Sequence, residues 1–282
     1  MGVRFHEGVF AITALGCLIA LALQGDAASL LAGQIVVWLL VYIAAILSLA
    51  GRASLKAERL RLLANFAFNS WFYGVTSQVS LALHAAPFDW PLRRIDESLC
   101  GEMPAVAMQR IQSPWLTDVM SFCYLFYLPY LFLVLFWGLR QPAKVIRRYS
   151  GLYFANASLG FASYLLVPAM GPAHAFPSLF SKPLEGGFIT VLNHEVMSRS
   201  SAIYGTFPSL HVLMTLVLLY GDWRECRRRF WLLLAPSIGL FLSTIYLRYH
   251  YLADVLAAGV YFLVTLAFFR AGAKAGEGAA DA

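Results

Sequence analysis

Two short runs hold the residues able to do chemistry: Phe207-Pro208-Ser209-Leu210-His211 and Arg248-Tyr249-His250-Tyr251-Leu252-Ala253-Asp254. His250 and Asp254 are four residues apart, so on a helix they share a face and the carboxylate can hold the imidazole. Pro208 suits the first turn of a helix, where its missing N–H costs nothing, so Pro208-Ser209-Leu210-His211 reads as a helix start. Unpaired backbone N–H groups and the positive dipole end make such a start an anion site. Ser209 can add a hydroxyl donor, and the guanidinium of Arg248 can grip phosphate oxygens in bidentate fashion. The ligand implied is a phosphate or phosphoester. Two histidines beside it permit a double displacement, in which one neutral imidazole attacks phosphorus and the other, protonated, gives its proton to the leaving oxygen. His250, with Asp254 at its side, is the expected nucleophile and His211 the expected general acid.

These runs lie at the ends of segments apolar enough to cross a membrane. With 60% hydrophobic and 13% charged residues in 282, and a mean hydropathy of +0.68, the chain has too few charges to cover a water-soluble surface. The composition predicts an all-α, polytopic membrane helix bundle of about 6–8 transmembrane helices. Eight candidates stand out: Gly8 to Gln24, Ser29 to Ala50, Leu62 to Ala86, Leu116 to Gly138, Ser150 to Ala169, Thr206 to Tyr220, Phe230 to Tyr249 and Tyr251 to Phe269. Basic clusters follow the second span (Arg52, Lys56, Arg59, Arg61), the fourth (Arg140, Lys144, Arg147, Arg148) and the sixth (Arg224, Arg227, Arg228, Arg229). Alternating helices put all three on one face, which the positive-inside rule makes cytoplasmic, together with both termini. His211 and His250 then emerge together on the outer face. Loop charge alone fixed that orientation, so the agreement of the two motifs is independent of it.

The net charge of +6 and pI of about 9.2 do not point to nucleic acid, because the charges sit in short linkers between spans rather than along one surface. Cys17, Cys100, Cys123 and Cys226 are scattered and suggest neither a disulfide nor a zinc site. In the third span Asn65, Asn69, Tyr73, Ser77, Ser80 and His84 recur at spacings of three and four and form one stripe, read either as hydrogen bonding between helices or as the polar wall of a substrate cavity. Three regions are expected: N-terminal transmembrane helices over 1–86, a catalytic membrane core over 87–270 and a disordered cytoplasmic tail over 271–282.

Pro208-Ser209-Leu210-His211 followed by Ser243-Thr244, His250 and Asp254 resembles the second and third signatures of the type 2 phosphatidic acid phosphatase superfamily, which includes membrane lipid phosphatases and vanadium haloperoxidases. Phe-Pro-Ser-Leu-His and the Ser-Thr-Ile-Tyr-Leu run look most like the inositol phosphorylceramide synthase branch. The likeness extends more weakly through Val167 to Pro172 and Arg94 to Gly101, and leaves the first three spans unexplained. It implies a helical core, a phosphohistidine intermediate and no required metal or other cofactor. Leu210 stands where family phosphatases have glycine, which narrows the approach of its backbone to phosphate but keeps its N–H. The family's motif arginine falls on Thr244, and Arg248, one turn further along a helix, is the expected substitute. The first signature, a lysine followed by an arginine and proline, is absent, with Tyr164 and Gly171 in its places. Lys182, Arg199, Arg94 and His174 are the outer-side candidates for the missing cations.

The expected activity is that of an integral membrane lipid phosphate phosphatase, cleaving a phosphomonoester or diphosphate at the outer face of a bacterial plasma membrane. A phosphotransferase moving a phospho-headgroup between lipids is one alternative, and a non-catalytic pocket that binds or moves a phospholipid is another. The expected partners are a phosphorylated lipid substrate and the bilayer, without nucleic acid.

Overall fold

The computed structural model describes residues 2–25, 29–83, 87–199 and 204–278, with side chains as far as Ala271. His84, the last member of the third-span stripe, lies outside them. Among the described residues the fold is helical, and the only extended pairing is a single bridge between Ala169 and Gly205. The elements in chain order are α1 (Phe5–Leu23), α2 (Leu30–Leu49), α3 (Leu55–Leu83), α4 (Asp89–Cys100), α5 (Pro104–Ala107), α6 (Pro114–Leu125), α7 (Tyr127–Gly138), α8 (Ala143–Leu166), α9 (Pro172–Ala175), α10 (Phe188–Ser198), α11 (Leu210–Glu225), α12 (Arg227–Tyr246) and α13 (Leu252–Gly278).

Among the described residues five stretches are long and apolar enough to span a bilayer: α1, α2, α6 with α7, α12, and α13 to Ala271. The α6–α7 span breaks its register at Phe126, because Pro129 has no N–H to offer Leu125 and its ring crowds that carbonyl. The other three spans read from the sequence are also helices, α3, α8 and α11, but more polar ones. Their polarity follows from position. α8 is the hub, packed by α1, α3, α11 and α13, and buried almost without interruption from Ser150 to Tyr164. Its small residues Gly151, Ala155, Ala157, Ser158 and Gly160 let neighbouring helices close in, as intramembrane packing requires. A helix that faces protein rather than lipid can carry Asn156 or Ser158 if a partner is near, and Asn156 has one in Thr265 of α13.

The basic linkers gather at the end of the bundle away from the two histidines. Arg4 and Arg147 both pair with Glu58, at 2.6 and 3.2 Å, and Arg148 reaches Glu225 at 3.5 Å. Deeper in, Arg61 grips Glu7 in bidentate fashion, and Asn65, which takes the Tyr42 hydroxyl, lies beside them. The third-span stripe thus divides by depth. Asn65 joins this ion cluster, Ser77 accepts from the Tyr204 N–H, Ser80 donates to the Tyr164 carbonyl, and Asn69 and Tyr73 face cavities.

Candidate active site

α11 begins at Leu210, two residues later than a helix starting on Pro208 requires, because Ser209 is extended (ψ 102°) and serves as the N-cap. Its hydroxyl does not cap, however: Ser209 Oγ is wholly buried and has no partner among the described residues. The Ser209 N–H donates to the Asp254 carbonyl at 3.2 Å, which fastens the two motifs together. Leu210 fits beside α8 because Gly160 has no side chain, since a Cβ there would come within 2.4 Å of Leu210 Cδ2. The Leu210 N–H faces the Tyr164 hydroxyl.

α12 stops at Tyr246, so Arg248 is not one helical turn beyond Thr244. It adopts the left-handed conformation (φ 65°), uncommon outside glycine, and reverses the chain. After that reversal the Tyr249 and His250 N–H groups both return to the Thr244 carbonyl, each at 3.0 Å. The position that corresponds to the family's arginine therefore holds the backbone of His250 instead of a cation. The guanidinium of Arg248 donates to the Lys182 carbonyl at 2.6 Å and Gln112 Oε1 at 3.0 Å, and lies 4.4 Å over the Phe180 ring. It ties the loops at this end of the bundle together rather than lining the cavity.

His250 precedes α13, and Asp254 sits in the first turn of that helix. The i,i+4 contact expected on a helix survives in this different setting: His250 Nδ1 is 3.3 Å from Asp254 Oδ2, which also takes the Tyr251 N–H at 2.9 Å as a capping-box carboxylate does. A second acceptor, the Thr206 carbonyl, lies 3.0 Å from the same Nδ1. A carbonyl oxygen only accepts, so Nδ1 carries the proton and Nε2 is left with its lone pair. Burial pushes the His250 imidazole down to about 4 against the opposing pull of the Thr206 carbonyl, which favours the neutral ring.

The His211 and His250 ring centroids are 6.5 Å apart. That separation admits a tetrahedral phosphorus between them, each nitrogen about 3 Å from its target atom. Tyr124 orients His211, with its hydroxyl 3.3 Å from Nδ1 and its ring 4.6 Å from the imidazole. Both histidines line a cavity of about 440 Å³, together with Thr206, Tyr249, His174 and His194. Of the four cation candidates, His174 is in this lining. Arg94 is exposed on α4, Arg199 pairs with Glu195 at 2.5 Å, and the Lys182 carbonyl is occupied by Arg248.

Two carboxylates on α4 fix the frame. Asp96 accepts from the Leu252 and Ala253 N–H groups at 3.0 and 2.9 Å and caps α13. Asp89 accepts from Met170, Gly171 and the Tyr251 hydroxyl, so it binds the α9 loop to the second motif. Burial raises both carboxyls above the usual carboxylate range, and these hydrogen bonds pull against it. Gly171 has φ 85°, and a Cβ there would meet the Tyr249 carbonyl at 2.4 Å, so the loop can approach only as glycine.

Sequence reasoning missed Thr206, Tyr124, Tyr249, His194 and the frame carboxylates. His194 alone left a readable signal, a histidine in the same stretch between two spans as His174; the rest contribute a carbonyl, a ring face or a cap, which no motif announces.

The sequence model of the PAP2 superfamily matches residues 90–268. The chain is 28% identical over 102 residues to a PA-phosphatase related-family protein of Dictyostelium discoideum, an alignment that spans 35% of this chain and 18% of that protein. No solved structure matches.

Proposed function

The chain belongs to the PAP2 superfamily, and from that premise and its paired histidines we propose that it is an integral membrane phosphatase acting on a lipid phosphate through a phosphohistidine. His250 Nε2 attacks phosphorus while the bond from phosphorus to the lipid oxygen breaks, and that oxygen takes the proton of imidazolium His211 to leave as an alcohol. A phosphate dianion beside His211 favours the charged ring it needs. Neutral His211 then removes a proton from water as the hydroxide attacks phosphorus. The P–N bond breaks, releasing inorganic phosphate and neutral His250. The Ser209 hydroxyl, buried without a partner among the described residues next to the start of α11, is one candidate donor to a phosphate oxygen, and His174 and His194 in the cavity wall are others.

The observation that carries this reading is His250, buried, held at Nδ1 from two sides and facing His211 across a cavity large enough for a phosphoryl group. The site lies at the outer face if the arginine-rich end is cytoplasmic. The test is phosphate release from phosphatidate, prenyl diphosphates and phosphatidylinositol phosphate by detergent-purified protein in EDTA. Release by wild type that His250→Ala loses supports a metal-independent histidine phosphatase. Release that needs a divalent metal, or that survives His250→Ala, refutes it.

A further inference from the structure

A second cavity of about 270 Å³ adjoins the first, and the two share Tyr73, Tyr124, Met197 and His211 in their walls. Apart from a few side-chain polar groups its lining is apolar, with Ala157 and Phe161 of α8 at the back. Ser70 of α3, Leu128 of α7 and Val196 of α10 line it and are also exposed, so it reaches the side of the bundle. Toward the arginine-rich end Phe66 and Phe132 close the gap between α3 and α7, with ring centroids 5.9 Å apart in an edge contact. A membrane protein that holds an apolar chamber open to its flank, and joined to its polar site past the general acid, has a place for something apolar attached to phosphate.

We propose that this second cavity holds a hydrocarbon chain of the substrate, which passes from the bilayer between α3 and α7 and leaves the phosphate beside His211. The inference rests on the phosphatase reading and names its substrate class, a phosphoester of a long-chain lipid alcohol. It also gives α3, which lies outside the region matched by the family, a function: it is the wall that turns the catalytic core toward one kind of chain. By the scale on which a cavity of about 150 Å³ holds one benzene, this one holds roughly ten carbon atoms, one chain rather than two side by side.

The test uses protein in nanodiscs and two probes, n-butyl and n-decyl phosphate, each below its aggregation threshold. Each buried methylene is worth up to about four-fold, so wild type should favour the decyl ester in kcat/KM by at least 100-fold. Ala157→Phe from the back wall and Leu128→Trp from the rim should each lower decyl turnover at least ten-fold more than butyl turnover. Equal wild-type rates on the two esters, or variants that affect both esters in parallel or neither, overturn the inference. Direct titration of both esters into His250→Ala separates the two claims. A decyl advantage in binding, erased by Ala157→Phe, sustains the cavity even if phosphate release fails, whereas turnover without chain preference refutes the cavity and leaves the phosphatase standing.

Discussion

His250 is held at one nitrogen by two acceptors, and its chemistry belongs to the other. Because Thr206 keeps Nδ1–H in place when Asp254 is neutralised, Asp254→Asn should lower kcat by on the order of 10²-fold, while His250→Ala, which removes the proposed nucleophile, should abolish turnover. Steady-state kinetics on one lipid phosphate separates the two. Burial that holds the imidazole at about 4, below the unfolded value near 6.5, sets a pH signature. The unfolded chain binds the proton first, so the stability present above pH 6.5 is lost as pH falls through 6.5 toward 4. Denaturant midpoints measured across that window should fall in wild type and fall less in His250→Asn. His250 and Asp254 were legible in the sequence as a pair because their spacing makes them neighbours, and His211 because the alternation of spans brings it to the same end. Arg248 was misplaced for a local reason: the left-handed turn that aims His250 also swings the arginine out to the loops.

Helix ends position these side chains, and two contacts between elements decide how well. Leu210 needs the space left by Gly160, so Gly160→Ala should cost about 1–3 kcal/mol in stability. Adding Leu210→Ala should restore part of it, and a double-mutant cycle read by thermal unfolding checks the coupling. The start of α13 depends on Asp96, and Asp96→Ala should cost about 1–2 kcal/mol as a lost cap and lower kcat, since the same turn carries Asp254. Helical content measured by circular dichroism should stay unchanged. Hydropathy made all eight spans legible but not why α3, α8 and α11 tolerate their polar residues, which are satisfied by partners on other helices. Those partners are long-range, as with Asn156 and Thr265, and no window of sequence contains both.

Across the whole molecule the buried ion pairs and the paired histidines lie apart: Arg61 with Glu7, Arg4 with Glu58 and Arg229 with Asp222 collect at one end, and His211 and His250 at the other. In the Glu7–Arg61 pair both side chains are almost fully buried, so Arg61→Leu alone should destabilise by about 3–5 kcal/mol by stranding Glu7, and pairing it with Glu7→Leu should recover most of that loss. If the arginine-rich end is cytoplasmic, an impermeant maleimide should label exposed Cys100 in intact cells and reach Cys226 only after lysis. The alternation of spans and loop charge is enough to bring both histidine motifs to one end, and the third-span stripe already offers a cavity wall as one of its two readings, whereas nothing in the sequence shows that α7 and α10 share that wall. The central claim is a covalent phosphate on His250. Rapid quench of the protein with a ³²P-labelled lipid phosphate should trap an acid-labile, base-stable phosphoprotein in wild type that is absent from His250→Ala; label that persists in that variant, or turnover with no labelled protein at any time, would contradict it.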